Sequence, residues 1–199
     1  MNEEEQPEQE QVRGEREPKV SPKIWVASLS DYNAGDLHGA WVDADREPDA
    51  IWKEIDHVLR SSRQPGAEEW AVFDQEGFCS FRLSENESVE RISQLGRGIA
   101  RHGEPFAAFA VWAVRRHDED LLEQFEECYL GHWESLRHFA DILLEEMGWI
   151  DLLEATVPEC FRRYVKFDVR EWATDAWASG KLYEIEDSEG TGVFLFRRP

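Results

Sequence analysis

The sequence lacks the features of a membrane protein and of a disulfide-stabilised secreted protein. No apolar run approaches the ~20 residues of a transmembrane helix, and residues 1–21 contain no signal-peptide core. The three cysteines, Cys79, Cys128 and Cys160, are unevenly spaced and form no C-x-x-C pair, which argues against a disulfide or zinc framework. We therefore expect a soluble, cytoplasmic protein with free thiols.

Basic residues are also scarce. The chain has 22 Lys and Arg against 43 Asp and Glu, which gives a formal net charge of −21. A protein that binds DNA or RNA neutralises phosphates with a basic surface, so this composition excludes direct nucleic-acid binding. It does not indicate disorder, because 41% of the residues are hydrophobic and nine are tryptophans.

Common catalytic and calcium-binding motifs are absent as well. The sequence contains no G-x-S-x-G, P-loop, H-E-x-x-H or Gly-rich dinucleotide turn. The acidic run from Asp43 to Glu54 follows EF-hand spacing only superficially, because Pro48 stands where a calcium loop needs glycine. We predict no catalytic residue and no cofactor.

A metal site is not expected either. Cys128, His132 and His138 are candidate ligands by type, but Gly131 interrupts the helix between the first two. Cys128 also lies on an apolar stripe, where a free cysteine usually packs as a small hydrophobic residue. We predict that these three residues bind no metal.

Composition and hydrophobic period divide the chain into a tail and three modules. Residues 1–21 hold seven acids and three bases and predict a disordered acidic tail. Residues 22–84 predict a sheet with one helix, residues 85–130 a helical middle, and residues 131–199 helices followed by a β-hairpin. The predicted fold class is α+β, in an elongated arrangement of three small consecutive modules.

The element predictions follow from hydrophobic spacing and from turn and cap residues. The predicted strands are Ile24–Leu29, His38–Ala44, Glu69–Asp74, Phe78–Phe81, Lys181–Glu186 and Gly192–Arg197. The predicted helices are one that opens at Pro48, then Ser88–Arg101, Glu104–Val114, Asp118–Tyr129, Ser135–Met147, a short stretch after Pro158, and Asp168–Ala178. The Asp118–Tyr129 helix has a predicted inward face, which consists of Leu121, Leu122, Phe125, Cys128 and Tyr129.

The densest row of acids lies on that same helix. Residues 118–127 carry six carboxylates over about 15 Å of helix axis, or one per ~2.5 Å. Duplex DNA carries one charge per ~1.7 Å of axis, so one helix face approaches the linear charge density of a duplex. The six are Asp118, Glu119, Asp120, Glu123, Glu126 and Glu127. An acidic surface that serves only solubility is the simpler interpretation of composition alone.

Three segments, in order along residues 22–199, resemble ArdA-type antirestriction proteins. The first, Tyr32-Asn33-x-Gly35-x-Leu37-His38-Gly39-x-Trp41-Val42-Asp43-Ala44, resembles the opening segment of that family. The second is Gly66-Ala67-Glu68-Glu69-Trp70-Ala71-Val72-x-Asp74-x-Glu76-Gly77-Phe78. The third, Phe125-Glu126-x-x-Tyr129-x-Gly131 followed by Ser135-Leu136-x-x-Phe139-Ala140-x-x-Leu143-Leu144-Glu145-Glu146-x-Gly148, is similar to the antirestriction motif.

The resemblance implies a function without catalysis. ArdA-type proteins are DNA mimics encoded on mobile genetic elements, and they are elongated homodimers. Their carboxylates imitate duplex phosphates in the DNA-binding groove of type I restriction–modification enzymes, on the methyltransferase and specificity core. The carboxylates implied here are Asp43, Asp45, Glu68, Glu69, Asp118, Glu119, Asp120, Glu123, Glu126, Glu127, Asp141, Glu145 and Glu146. A homodimer is implied through the C-terminal third, with apolar residues near Trp149–Leu153 as candidates.

The sequence departs from the family pattern at several basic positions. Arg137 and His138 stand where the motif commonly carries acids, and Arg91, Arg97 and Arg101 dilute a helix that is usually more acidic. Two other classes stay open: an acidic adaptor for a basic DNA-binding protein unrelated to restriction, and an enzyme with a pocket of strongly shifted carboxylates.

Overall fold

The computed structural model describes residues 21–113 and 120–198, and in these ranges it confirms the α+β class. The described parts contain helices and two separate antiparallel three-stranded sheets. The strands are β1 Lys23–Ser28, β2 Gly39–Asp43, β3 Trp70–Glu76, β4 Tyr129–Trp133, β5 Leu182–Glu186 and β6 Val193–Arg197. The helices are α1 Leu29–Asn33, α2 Pro48–Arg60, α3 Val89–His102, α4 Glu104–Ala113, α5 Leu121–Cys128, α6 Leu136–Glu146, α7 Trp149–Thr156, α8 Glu159–Arg162 and α9 Val169–Ala178.

Capping side chains fix where most of the predicted helices begin. The side chains of Ser88, Asp120, Ser135 and Asp168 each accept a hydrogen bond from a backbone N–H three residues further on. Such a cap satisfies one of the free N–H groups of a first turn, and Pro48 at the start of α2 lacks that N–H altogether. No helix in the described ranges is long and apolar enough to cross a membrane.

The N-terminal sheet has the order β2-β1-β3. Strands β1 and β2 pair antiparallel as predicted, although the short helix α1 occupies part of their connection. The prediction of a strand at Phe78–Phe81 is wrong, because this segment is a loop in which only the two phenylalanines are buried. The side-chain amide of Gln75 donates to the Phe81 carbonyl at 2.7 Å and accepts from the Leu83 N–H at 2.8 Å. These side-chain hydrogen bonds take the place of the backbone hydrogen bonds that a neighbouring strand would make.

A single hydrophobic core joins the N-terminal sheet to the second sheet. It includes Ile24 and Val42 from the first sheet, Phe106 and Phe125 from helices α4 and α5, and Phe196 from β6. Within α5 the fully buried residues are Leu121, Phe125 and Cys128, whereas Leu122 is only partly buried. The expectation that Leu122 faces the core is therefore only partly correct.

The second sheet has the order β4-β6-β5 and carries a smaller core of its own. Leu136, Ala173 and Leu195 form that core, so α6 and α9 pack on the sheet. The predicted hairpin of β5 and β6 is confirmed, with Ile185 opposite Phe194. Strand β4 and helix α7 are additions to the predicted elements. Helices α7 and α8 contribute no buried residue.

Two glycines let α3 pack closely against its neighbours. A Cβ added at Gly96 would lie 2.2 Å from the carbonyl oxygen of Ala44, and one at Gly98 would lie 2.2 Å from the ring of Phe106. Real Cβ atoms do not approach a backbone oxygen so closely. Ala44, which follows β2, can therefore contact α3 only because position 96 has no side chain.

Gly96→Ala is therefore expected to lower the free energy of unfolding by ~1–3 kcal/mol, the usual range for overpacking a core. Helix propensity alone would favour alanine over glycine by about 1 kcal/mol, so the sign of the change tests the close approach. Denaturant unfolding measures it, with the exposed Glu90→Ala on the same helix as the control. Unchanged or higher stability of Gly96→Ala would contradict the packing described.

Candidate functional site

Helix α5 carries an exposed acidic row at its start and along one face. Asp120, Glu123 and Glu127 are exposed and form no ion pair with any residue in the described parts of the chain. Asp120 caps the helix, since its Oδ1 accepts from the N–H of Glu123 at 3.1 Å. Spacings of three and four residues place the three carboxylates on one face along about 10 Å of axis. Two further predicted members, Asp118 and Glu119, lie outside the described residues.

Glu126 belongs to the same helix but is neutralised from within the protein. Its Oε1 lies 2.9 Å from Nη1 of Arg101 and 3.3 Å from Nε2 of His102, both on α3. Burial lowers the pKa of His102, and the hydrogen bond that its ring shares with the Glu126 carboxylate as acceptor opposes that shift only in part. His102 is therefore neutral at neutral pH, and Arg101 supplies the positive charge.

The N-terminal carboxylates likewise include one that is ion-paired and others that are not. Asp43 accepts from Nη2 of Arg46 at 2.7 Å and lies 3.8 Å from Nζ of Lys23, whereas Asp45 forms no ion pair within residues 21–113 and 120–198. Glu68 and Glu69 lie in the loop before β3 and are likewise free of ion pairs with described residues.

These N-terminal carboxylates do not form one patch. Asp43 is opposite Lys23 at the start of β1, whereas Trp70, next to Glu69, is opposite Ser28 at its end. Five residues of strand separate the two positions by about 17 Å. The structure therefore places Asp43 and Glu69 at opposite ends of the sheet.

The C-terminal carboxylates lie on α6. Asp141 is 3.8 Å from Nε of Arg137, one turn earlier on the same helix. Glu145 and Glu146, at the end of α6, are exposed and make no ion pair with the described residues. His138 stands beside Glu134 at 3.6 Å. The carboxylates at the end of α6 are therefore the ones in this segment that an external cation can reach.

Three of the arginines that depart from the family pattern neutralise carboxylates. Besides Arg101 and Arg137, Arg97 of α3 binds Glu47 just before α2. Such pairs between exposed side chains contribute little to stability, about 0–1 kcal/mol each. Their larger consequence is electrostatic, because each paired carboxylate is less available to an external cation.

The candidate metal ligands have other partners. Cys128 is buried in the main core, while His132 Nε2 lies 2.8 Å from Oδ2 of Asp187. Arg46 and Arg97 reach into the acidic run that begins at Asp43. Within the described residues no three His, Cys, Asp or Glu side chains are grouped so that they could hold a metal ion.

Among the described residues, the carboxyl group with the most strongly shifted pKa is that of Asp187, in the turn between β5 and β6. Burial alone would raise its pKa, but hydrogen bonds from the hydroxyl and N–H of Thr191, from His132 and from the N–H of Gly190 outweigh burial and lower the pKa to about 2. The Thr191 hydroxyl donates at 2.8 Å and its N–H at 2.9 Å. This arrangement holds the hairpin turn and keeps Asp187 ionised, which is unlike the raised pKa of a general acid.

The turn gives a prediction for acid stability. Because the folded-state pKa of Asp187 is depressed, its stabilising contribution is complete above its ordinary pKa of about 3.9. The contribution is lost as the pH falls through the folded-state pKa of about 2. We expect thermal unfolding of Asp187→Asn to depend less on pH in this window than that of the wild type, with the two curves converging at the acid end. Parallel curves would contradict this assignment.

Two exposed carboxylates are additional to those inferred from the sequence. Asp74 and Glu76 alternate along β3 on the face of the sheet that points away from the core, and neither forms an ion pair with a described residue. The alternation of Asp74, Gln75 and Glu76 next to an apolar strand is a usable signal for their common face.

One of two comparisons relates the chain to a known protein family. A family model described as antirestriction protein (ArdA) matches residues 24–189 of the chain. The matched range runs from β1 to the turn between β5 and β6 and includes the acidic row of α5 and the end of α6. A search of curated proteins finds no significant match.

Proposed function

Because the chain belongs to the ArdA family of antirestriction proteins, we propose that it blocks type I restriction–modification enzymes as a DNA mimic without catalysis. The function of the family is antirestriction. In this proposal the exposed carboxylates take the place of duplex phosphates in the DNA-binding groove of the methyltransferase and specificity core. Such a protein acts in the cytoplasm, where restriction meets incoming DNA, and is carried by mobile genetic elements.

The observation that supports mimicry best is the open row on α5. Asp120, Glu123 and Glu127 place three unpaired charges along about 10 Å of helix axis. One strand of a duplex carries a phosphate every ~3.4 Å, so it also places about three charges over that length. Glu145 and Glu146 offer two further open carboxylates on α6.

The energetics of such a surface are distributed. Each exposed ion pair with a lysine or arginine of the enzyme contributes ~0.2–1 kcal/mol, so affinity must come from many pairs. Opposite charge on the two partners also speeds their encounter, by an amount that falls as salt rises. The proposal therefore implies gradual loss of inhibition on mutation and strong salt dependence.

A homodimer through the C-terminal third is part of the proposal, as are the three modules at 22–84, 85–130 and 131–199. Residues 22–199 carry 17 net negative charges, so two chains carry 34. At ~1.7 Å per charge that equals roughly 58 Å of duplex, a length suited to a bipartite recognition site.

Helix α7 supports a dimer interface in the C-terminal third, because its residues Ile150 and Leu152 are apolar and are 59% and 56% exposed.

The dimer gives a direct prediction. Ile150→Asp combined with Leu152→Asp should convert the protein to a monomer, because each change places a charge in an apolar contact between copies. Light scattering at tens of micromolar measures the mass. The matched control is Leu37→Asp at an exposed apolar position outside the C-terminal third. A wild-type monomer, or an unchanged dimer in the double variant, would contradict the proposed interface.

A restriction assay tests the proposed function. We expect cells with a type I system to accept unmodified phage DNA more efficiently when they express this protein, and cells without the system to show no difference. Binding of the protein to the isolated nuclease subunit, without binding to the methyltransferase and specificity core, would point away from the DNA-binding groove. Absence of protection, together with binding to another basic DNA-binding protein, would favour the acidic adaptor.

A further inference from the structure

The outer face of the N-terminal sheet has a composition that phosphate mimicry does not explain. In the ladder, Trp25 of β1 is opposite Trp41 of β2 and Asp74 of β3. Directly opposed residues lie on the same face of a sheet. The next row consists of Lys23 flanked by Asp43 and Glu76. Ile24, Val26 and Val42 point to the other face, into the core.

The two tryptophans of this face form an ordered pair. Their ring centroids are 5.7 Å apart at an interplanar angle of 67°, and Trp41 is 40% exposed. Gly39 makes room for the pair, since a Cβ there would lie 3.1 Å from the indole of Trp25 and 2.4 Å from the carbonyl oxygen of Val26. The sheet thus presents indole surface to solvent in a fixed orientation.

Two carboxylates of β3 border the pair, and one cation, Lys23, lies in the same row as Glu76. Asp74 and Glu76 are exposed and form no ion pair within the described residues, while Lys23 is engaged with Asp43 at 3.8 Å. A cation that approaches this face meets both an aromatic surface and open carboxylates. Arginine suits that combination best, because its planar guanidinium stacks on indole and binds carboxylate with two donors, whereas lysine is a compact, strongly hydrated charge.

We propose that the face formed by Trp25, Trp41, Asp74 and Glu76 binds arginine side chains of the protein partner by stacking as well as by charge. The inference rests on the proposed function, in which that partner is a type I restriction–modification enzyme. It adds a contact that a phosphate row does not provide. The carboxylate part of this contact weakens with salt, whereas the stacking part releases no counterions and keeps its strength.

The chain supplies a matched pair of variants for the test. Trp52 of α2 is 42% exposed and lies 5.8 Å from Trp70 in an edge-to-face pair, so it resembles Trp41 in exposure and contact. We expect Trp41→Leu to weaken displacement of DNA from the enzyme about 2- to 30-fold with an unchanged salt slope, the range of a cation–π contact from exposed to desolvated. Trp41→Phe should retain part of the affinity, and Trp52→Leu should match the wild type.

Three results of the binding experiment would overturn the inference. The first is an equal effect of Trp41→Leu and Trp52→Leu. The second is a loss of secondary structure by circular dichroism that accounts for the weakening in Trp41→Leu. The third is a change of oligomeric mass in Trp41→Leu, which would assign the face to a contact between copies of this chain.

A titration of the protein alone separates this inference from the proposed function. The indole N–H signals of Trp25 and Trp41 should shift more in the NMR spectrum on addition of hexa-arginine than of hexa-lysine at equal charge, while that of Trp52 should respond equally to both. Wild-type protein that fails to displace DNA but shows this arginine preference would refute the enzyme as partner and keep the arginine face. Displacement of DNA without any arginine preference would refute the arginine face alone.

Discussion

Inhibition should collapse when the open carboxylates of α5 and α6 are neutralised together, although no single one is essential. The change combines five substitutions: Asp120→Asn, Glu123→Gln, Glu127→Gln, Glu145→Gln and Glu146→Gln. At ~0.2–1 kcal/mol for each exposed pair, the set weakens binding by about 1–5 kcal/mol, whereas each single amide has a small effect. Its residual binding should also depend less on salt. Inhibition at several salt concentrations measures both effects.

The control removes charge from carboxylates that the protein already pairs. Glu47, Glu54 and Asp56 bind Arg97, Arg46 and Arg60 respectively. Their triple amide variant changes the net charge as much as the triple amide variant of Asp120, Glu123 and Glu127, yet it should weaken inhibition less. Equal losses of inhibition in the two triple variants would mean that net charge alone determines inhibition. Abolition by one amide in a folded protein would indicate a discrete site.

Phe125→Ala should lower the stability of the protein more than Gly96→Ala or Leu122→Ala. Phe125 is 1% exposed, and its ring lies between those of Phe106 at 5.4 Å and Phe109 at 5.6 Å, with Phe196 of the second sheet at 6.1 Å. Removing a buried phenylalanine typically lowers the free energy of unfolding by ~3–5 kcal/mol. Because Phe125 contacts both halves of the main core, a single denaturant transition should shift as a whole.

Leu122→Ala is the comparison for Phe125→Ala, because it lies on the same helix but is only partly buried. Its cost should be clearly smaller, since the rim of a core can partly refill with solvent. Equal losses for the two variants would contradict the burial described for α5. Two transitions in Phe125→Ala, one for each sheet, would show that the predicted modules unfold separately.

Helix starts are predictable from the sequence where a capping side chain marks them, because that signal is local, whereas α7, which has no side-chain cap, is not among the predicted elements. Ser88, Ser135 and Asp168 mark helix starts through side chains that act within three residues. Strand β4 has no such signal, because its pairing with β6 depends on residues about 60 positions away along the chain. The apolar segment Phe78–Phe81 directly follows a turn and is predicted as a strand, yet hydrogen bonds with the side chain of Gln75 fix it as a loop.

The sequence predicts which acidic residues form the candidate surface, but it does not show which of their carboxylates are free of ion pairs. Sequence spacing alone identifies the acids of α5 and α6 as one-sided rows. It does not show that Glu126 is paired by Arg101 of another helix, or that Glu47 is paired by Arg97 fifty residues later. Such contacts depend on how α3 packs, which Gly96 and Gly98 permit. The register of Trp25 with Trp41 likewise needs the paired strands.

Competition with duplex DNA for a purified type I enzyme tests mimicry most directly. A labelled duplex that contains the recognition site is bound to the methyltransferase core, and the protein is added at several salt concentrations. The account predicts mutually exclusive binding, in which rising protein displaces the duplex completely and excess duplex displaces the protein. A ternary complex of enzyme, duplex and protein, or inhibition without any displacement, would contradict occupation of the DNA-binding groove.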